Sequence, residues 1–401
     1  MARDQQDHRD RRAGADERDL RLFVAYRFLS RFYFHLPVLL VYLLTGGLSI
    51  LAVELLLAAY GLVIVVASPW SRRLVERWSL RTVVGAGEAL KVVGVGLLAI
   101  SPDLGTALPG QLIGALGYSL AAGTDSALLG ALAGGDRDLY GRYERTSATG
   151  IFVGALIGGV IGALLFTVDE HLPFVASVVV SAAAFAAVLR MREVEAAAPA
   201  GGRGPAGPPP ALPGADRFWL HYYAVTRAFA LAPYVGFLPY LFFVVLEVEV
   251  GWFGVILGIY GLTSMVVARN SGRLADRFGP RRLGWLSMAM CATALAVIGA
   301  VPTLWGALLG VFGLGLGGGV VRPVTMTNLD RAIGGWTGAQ RTALLSGQER
   351  LYGAWNTAIL VVGGLLLEAE VGVRPLIGGL AAAYVAVLGA MAFTSTRRAA
   401  A

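Results

Sequence analysis

The sequence predicts an all-α integral membrane protein: twelve transmembrane helices in two pseudo-symmetric six-helix bundles. Three observations predict it. The 401 residues are 56% hydrophobic and only 15% charged, with a mean hydropathy of +0.66, unlike a soluble domain. Unbroken apolar runs of about 18 to 25 residues recur, the length a helix needs to cross a hydrocarbon layer. The charged turns "SRRLVERWSLRT" (71–82) and "SGRLADRFGPRR" (271–282) share an outline at a spacing of 200 residues, which marks an internal repeat. Strands of a membrane barrel would alternate apolar and polar residues, and these runs do not.

In chain order, residues 1–20 mix acids with arginines and have no apolar core, so a cytoplasmic disordered tail is expected rather than a signal peptide. The first run opens near residue 21 and carries Arg27, Arg31 and His35 at four-residue spacing, one face of a continuous helix. The second opens near 51 and ends at the first charged turn. The third, near 83, holds Glu88 and Lys91, the only lysine of the chain. The fourth, near 107, contains "AGTDSALLGAL" with Asp125. The fifth, near 147, includes "GALIGGVIGAL", small residues at helix-packing spacing. The sixth opens near 172. The tract between it and the seventh is rich in Pro, Gly and Ala and has no apolar face, so 193–216 reads as a linker.

The seventh run, near 218, carries Arg227. The eighth, near 251, ends at the second charged turn, and the ninth, near 283, contains the single cysteine, Cys291. The tenth, near 304, has "GLGLGGG" and Arg322. Its G-x-G-x-x-G spacing lies inside a membrane run and not after a soluble strand, so a dinucleotide site is rejected. The eleventh, near 349, has Tyr352, Trp355 and Asn356, and the twelfth opens near 375. The expected units are therefore bundles at 21–192 and 217–396, with a short tail at 397–401.

Arginines crowd the turns after even-numbered runs, while the opposite turns hold Asp103, Asp169, Glu170, Glu247, Glu249, Glu368 and Glu370. The positive-inside rule then puts both termini and the linker in the cytoplasm. The net charge of +7 is explained by this topology, and no nucleic-acid partner is expected. Shifted by 200 residues, Tyr60-Gly61-Leu62 falls on Tyr260-Gly261-Leu262, and Arg73, Arg77 and Arg81 fall on Arg273, Arg277 and Arg281. Arg27 falls on Arg227, and Glu144-Arg145 falls on Glu349-Arg350 at a shift of 205.

Twelve runs, a mid-chain linker and Gly272-x-Leu274-x-Asp276-Arg277-x-Gly279-x-Arg281 after the eighth run resemble the major facilitator superfamily. The first-half copy departs from the pattern, with Arg72, Glu76 and Ser79 in place of Gly, Asp and Gly. "AGTDSALLGAL" and "RTALLSGQER" (341–350) are similar to bacterial drug-exporter-like members. The resemblance implies a monomer that works by alternating access, and a gating role for the two loops through Glu76, Arg77, Arg81, Gly272, Asp276, Arg277, Gly279 and Arg281. High Ala, Gly and Arg with one lysine fits a GC-rich bacterial genome.

Ionisable groups at membrane depth are costly and mark cavities or partners. Arg31, His35, Lys91, Arg322, Tyr352, Trp355 and Asn356 are candidates to line a substrate cavity, with Arg31 open between cavity lining and snorkelling, as Arg27 and Arg227 snorkel. Glu88 is either the ion-pair partner of Lys91 or a proton carrier, and Asp125 either pairs with an arginine such as Arg322 or carries a proton. The function expected is a secondary transporter in the cytoplasmic membrane moving a small amphipathic or partly anionic molecule, by proton-coupled efflux. The alternatives are a proton-coupled importer, a uniporter or a non-transporting sensor. No Walker motif, HExxH or G-x-S-x-G is present, so neither ATP-driven transport nor an enzyme is expected, and no cofactor or metal.

Overall fold

The structure, a computed structural model, describes residues 17–134, 136–194, 212–333, 336 and 338–399. Between turns and breaks those residues are helical, and no strand occurs among them. The first half contains α1 (17–29), α2 (Leu39–Thr45), α3 (Ile50–Val75), α4 (Leu80–Leu98), α5 (Leu104–Ala121), α6 (Thr124–Leu132), α7 (Arg137–Val168) and α8 (Leu172–Leu189). The second contains α9 (Gly214–Ala232), a π-helical stretch Pro233–Phe237, α10 (Leu238–Tyr240), a second π stretch Leu241–Val245, a 3₁₀ turn Val250–Trp252, α11 (Phe253–Phe278), α12 (Pro280–Ala300), α13 (Leu304–Gly319), α14 (Val321–Ile333), α15 (Gly338–Glu368) and α16 (Val373–Ala399).

Among the described residues ten of these segments are long and apolar enough to cross a membrane. Two expected spans fall short, for different reasons. The first is not a continuous helix: it breaks over residues 30–38. The third, α4, has the length but carries Arg81, Glu88 and Lys91. The boundaries also move. Residues 17–20 begin α1, and Asp19 and Leu20 are buried. At the linker, α9 starts at Gly214, and Glu193 pairs with Arg81. Residues 1–16 of the expected tail, 195–211 of the linker and 400–401 lie outside the described residues.

The outer surface is apolar where lipid would meet it: Leu62, Leu164, Val179 and Leu309 are each more than half exposed, the inverse of a soluble surface. Inside, glycines let helix backbones approach. In the first half Gly94 of α4 meets the backbone of Gly114 of α5, where an added Cβ would lie 2.5 Å from the Gly114 nitrogen. The same device joins the two halves, with α3 on α15 through Gly61 and Gly353, and α7 on α11 through Gly159 and Gly254. Without a hydrophobic force between helices in lipid, such close contact supplies the dispersion energy that holds them.

The interruptions repeat with the sequence. The break in the first span at Leu36-Pro37 is matched by the π stretches around Leu238-Pro239, where proline lacks the N–H that the ladder needs. The fourth span bends at Gly123, with φ +81°, and the tenth is interrupted at Val320, between α13 and α14.

The repeated turn is compact. α11 ends at Phe278, α12 starts at Pro280, and Gly279 alone joins them at φ +79° and ψ 140°, a conformation open almost only to glycine. Gly279→Ala is expected to cost about 1–3 kcal/mol, read as a lowered melting temperature of the detergent-purified protein; an unchanged midpoint would contradict it.

Candidate functional site

Between the halves lies a cavity of about 330 Å³. Its walls come from the broken first span (Arg31, Tyr33, Pro37), α3 (Leu57, Tyr60), α4 (Lys91, Leu98), α5 (Gln111, Tyr118), α9 and the π stretch (Tyr223, Arg227, Tyr234), α14 (Arg322) and α15 (Tyr352, Asn356, Leu360). The lining is mostly apolar and aromatic with a few convergent polar groups, the usual make-up of a small-molecule site.

Four cations reach the cavity, and three are paired. The Lys91 ammonium lies 2.7 Å from Glu88 Oε2 and donates to the Ser30 carbonyl at 3.3 Å. That carbonyl sits at the end of α1, so one lysine neutralises a buried carboxylate and caps a helix that the membrane cannot hydrate. Arg227 bonds Glu349 at 2.8 Å and the Tyr118 hydroxyl at 2.7 Å, and stacks over Tyr352. Arg322 reaches Glu144 Oε1 at 3.2 Å. The fourth, Arg31, stands 4.6 Å over the Tyr118 ring, and among the described residues no carboxylate lies within ion-pair distance of it.

A second cluster closes the cavity toward the end of the molecule where α1 begins and α16 ends. Arg27 of α1 is 1% exposed. It lies 3.0 Å from Asp125 and 2.8 Å from Glu144, and donates to Ser126 at 2.8 Å. Arg322 from the other half joins the same Glu144 and contacts Ser126 at 3.4 Å. The Tyr118 hydroxyl donates to Glu349 at 3.0 Å, and the Ser71 and Ser346 hydroxyls meet at 2.9 Å. Each of these last four contacts crosses from one half to the other at the same end. The cavity lining runs the opposite way, toward Leu98, Gly110 and Leu360.

The pairing follows the repeat. Arg27 and Arg227 occupy equivalent positions, as do Glu144 and Glu349, and each arginine holds the glutamate of its own half. Charges at membrane depth persist when paired and hydrogen-bonded, so the repeat conserves a charge-neutral pair and not an isolated charge.

A family model described as Major Facilitator Superfamily matches residues 23–367. The chain belongs to the major facilitator superfamily. It is accordingly a membrane transporter fold without catalytic chemistry. Solved structures of similar fold include the human organic anion transporter MFSD10 (TETRAN), at 14% identity and a TM-score of 0.72, covering 92% of this chain and 98% of that one. A POT family transporter in complex with a thioalcohol-conjugated peptide gives 13% identity and 0.73, over 94% and 96%. The nucleoside transporter NupG gives 13% and 0.65, over 94% and 98%. No curated protein sequence matches significantly. Identities this low establish a shared fold and nothing about the solute.

In this superfamily member the predicted residues separate. Arg31, Lys91, Arg322, Tyr352 and Asn356 line the cavity. His35 does not: the first span breaks before it, so it leaves the face of Arg27 and Arg31, and its Nδ1 meets Ser177 Oγ of α8 at 2.9 Å. Trp355 is also outside the lining and packs on Phe229. Arg27 is buried and paired, so it does not snorkel. Asp125 pairs with Arg27, while Arg322 takes Glu144 instead.

Of the loop residues, Glu76 and Arg77 are exposed. Arg81 bonds the Met191 carbonyl at 2.9 Å and pairs with Glu193, which ties α4 to the end of α8 within one half. In the second copy Gly272, Arg277 and Arg281 are exposed and Gly279 makes the turn. Asp276 shares a cleft of about 400 Å³ with Arg269, Arg273 and Arg331 and with Arg145 from the first half.

Tyr118, Tyr223, Gln111 and Glu54 were missed. Tyrosines score as ordinary interface residues on a hydropathy scale, so nothing distinguished Tyr118 until its partners were visible. Glu54 had a signal, a carboxylate set among leucines one turn into the second run.

Proposed function

We propose that the protein is a twelve-span secondary transporter, two six-helix halves rocking about the cavity, that carries a small amphipathic solute with an anionic group and is driven by a proton gradient. The carrying observation is Arg31. Its guanidinium faces a largely apolar cavity with no carboxylate partner among the described residues, and a half-buried cation in such surroundings favours an anion that completes the pair. Tyr60, Tyr118 and Tyr234 supply ring faces for the apolar part of the solute.

With both termini cytoplasmic, the conformer is closed inward and its cavity leads outward. This supports loading from outside, and so proton-coupled import or uniport. Efflux across a bacterial inner membrane is the second reading, carried by the drug-exporter-like "AGTDSALLGAL" and "RTALLSGQER". Glu88 and Asp125 remain proposed proton carriers on sequence grounds, although each already has a cation beside it.

Proteoliposomes under an imposed pH gradient of either sign, loaded or challenged with cationic, neutral and anionic amphiphiles, test the reading. Gradient-dependent flux of the anionic compounds is expected. Flux confined to cations would overturn the solute class. Movement only against an inward proton gradient would establish efflux, and no flux of any compound would favour a non-transporting sensor.

A further inference from the structure

Glu54 is the buried acid that the site does not use. It lies one turn into α3 and is 0% exposed. Neither carboxylate oxygen has a hydrogen-bond partner, and no charged group among the described residues acts on it. Among the described residues the other buried carboxylates all have partners: Glu88 has Lys91, Asp125 and Glu144 have Arg27, Glu349 has Arg227, Asp19 has Arg192 and Asp330 has Arg341.

The slot is made for it by two glycines of the other half. A Cβ added at Gly236, in the first π stretch, would stand 2.7 and 2.8 Å from the two carboxylate oxygens, and one at Gly364 of α15 would stand 2.8 Å from Glu54 Cβ. Leu360 of α15 closes the same point. The nearest titratable residues along those two elements are Tyr234, which lines the cavity, and Glu368, exposed at the end of α15. The slot also adjoins the cavity, because Leu57, Val235 and Leu360 belong to its wall.

An unpaired carboxylate in such a place loses its hydration with nothing to replace it, whereas a neutral acid loses far less. The seam of α3 against the π stretch and α15 therefore packs around the acid form. Separation of the halves along that seam would bring water to the carboxyl and allow it to ionise.

We propose that Glu54 is a proton-operated latch, closed at the α3–α15 seam when protonated and released when ionised. On opening, its O–H bond breaks, the electron pair stays on the carboxylate, and the proton passes to water at the end opposite the termini. On closing, one proton is taken back from that side. This deepens the transport reading, on which its role in coupling rests, by naming where the proton binds. The bistable element is the π-helical stretch, whose backbone ladder is already weakened by Pro233 and Pro239.

The test is conformational and uses no solute. Spin labels at Ser49→Cys and Glu249→Cys, exposed positions on the opposite-end turns of the two halves, are introduced in a Cys291→Ala background. Their separation is measured by pulsed electron resonance across the pH range in lipid nanodiscs. In the parent the open-to-closed ratio should rise about tenfold per pH unit through a one-proton transition. Glu54→Gln, which mimics the neutral acid, should stay closed at every pH, while Glu368→Gln, at the exposed end of α15, should titrate like the parent. Gly236→Ala, which keeps the carboxyl but sets a methyl against it, should be open even at low pH.

A parent distance that ignores pH, a Glu54→Gln protein that titrates like the parent, or a Gly236→Ala protein that still closes would each overturn the latch. A latch that titrates in a protein showing no liposome flux sinks the transport reading alone. Flux in a protein whose distance ignores pH sinks the latch alone.

Discussion

Arg27→Met is expected to destabilise the protein by about 3–5 kcal/mol, the usual loss when one partner of a buried ion pair is removed. The arginine is 1% exposed and serves two carboxylates, Asp125 and Glu144, with Ser126 and Ser147 filling out its donors. Arg322 still neutralises Glu144 after the substitution, but Asp125 loses its ion-pair partner. The Nε–Asp125 contact is an ion pair at 3.0 Å and not an aligned hydrogen bond, so the loss is chiefly one of charge. Thermal unfolding of the purified protein in detergent should show the drop. Adding Asp125→Asn to Arg27→Met should recover part of it by removing the stranded charge. A single variant within about 0.5 kcal/mol of the parent would mean that water reaches this cluster and the ions are not desolvated.

Arg31→Gln is expected to leave stability near that of the parent and to weaken transport of anionic solutes by about 10- to 100-fold, the value of one charge-assisted contact. Arg31 is only partly buried and has no carboxylate to strand, so the variant separates recognition from folding. The loss should appear in KM for anionic compounds and be absent for neutral ones of the same shape. An equal loss for both classes would make Arg31 a support for the Tyr118 ring beneath it, with no part in choosing the solute. Arg227→Gln would not make this distinction, because it also breaks the Arg227–Glu349 pair that joins Tyr118 to the second half.

The fold was legible because its cause is crude. A hydrocarbon layer accepts long apolar helices and rejects almost everything else, and the repeat announced two similar halves. What escaped was local. Arg27, Arg31 and His35 were placed on one face by their spacing, which holds only in an unbroken helix. Pro37 was visible, yet the break extends back to residue 30, where Lys91 from α4 takes the freed Ser30 carbonyl. That contact lies 61 residues apart in sequence, beyond any pattern in the first span.

The buried charges show the same division. Equivalence of Arg27 with Arg227 and of Glu144 with Glu349 could be read from the repeat, but not that each arginine holds its own half's glutamate. Nor could it be read that Arg322 crosses to Glu144 and leaves Asp125 to Arg27. For Glu54 the sequence offers only a carboxylate among leucines, a signal that an acid one turn into a helix shares with many residues near an interface. Glu54 became distinctive only when Gly236 and Gly364 were found against it.

By itself the sequence determined the solvent, the helical class, the twofold repeat, the tight Gly279 turn and the superfamily resemblance, since each is set by composition or by neighbours within a turn or two. The tertiary structure alone decided which charges are paired, which cavity cation has no carboxylate beside it among the described residues, and which carboxyl is sealed without a partner. The reason is physical. In a low-dielectric interior the cost of a charge depends on the few atoms within about 4 Å of it, and here those atoms come from helices tens to hundreds of residues away in the chain.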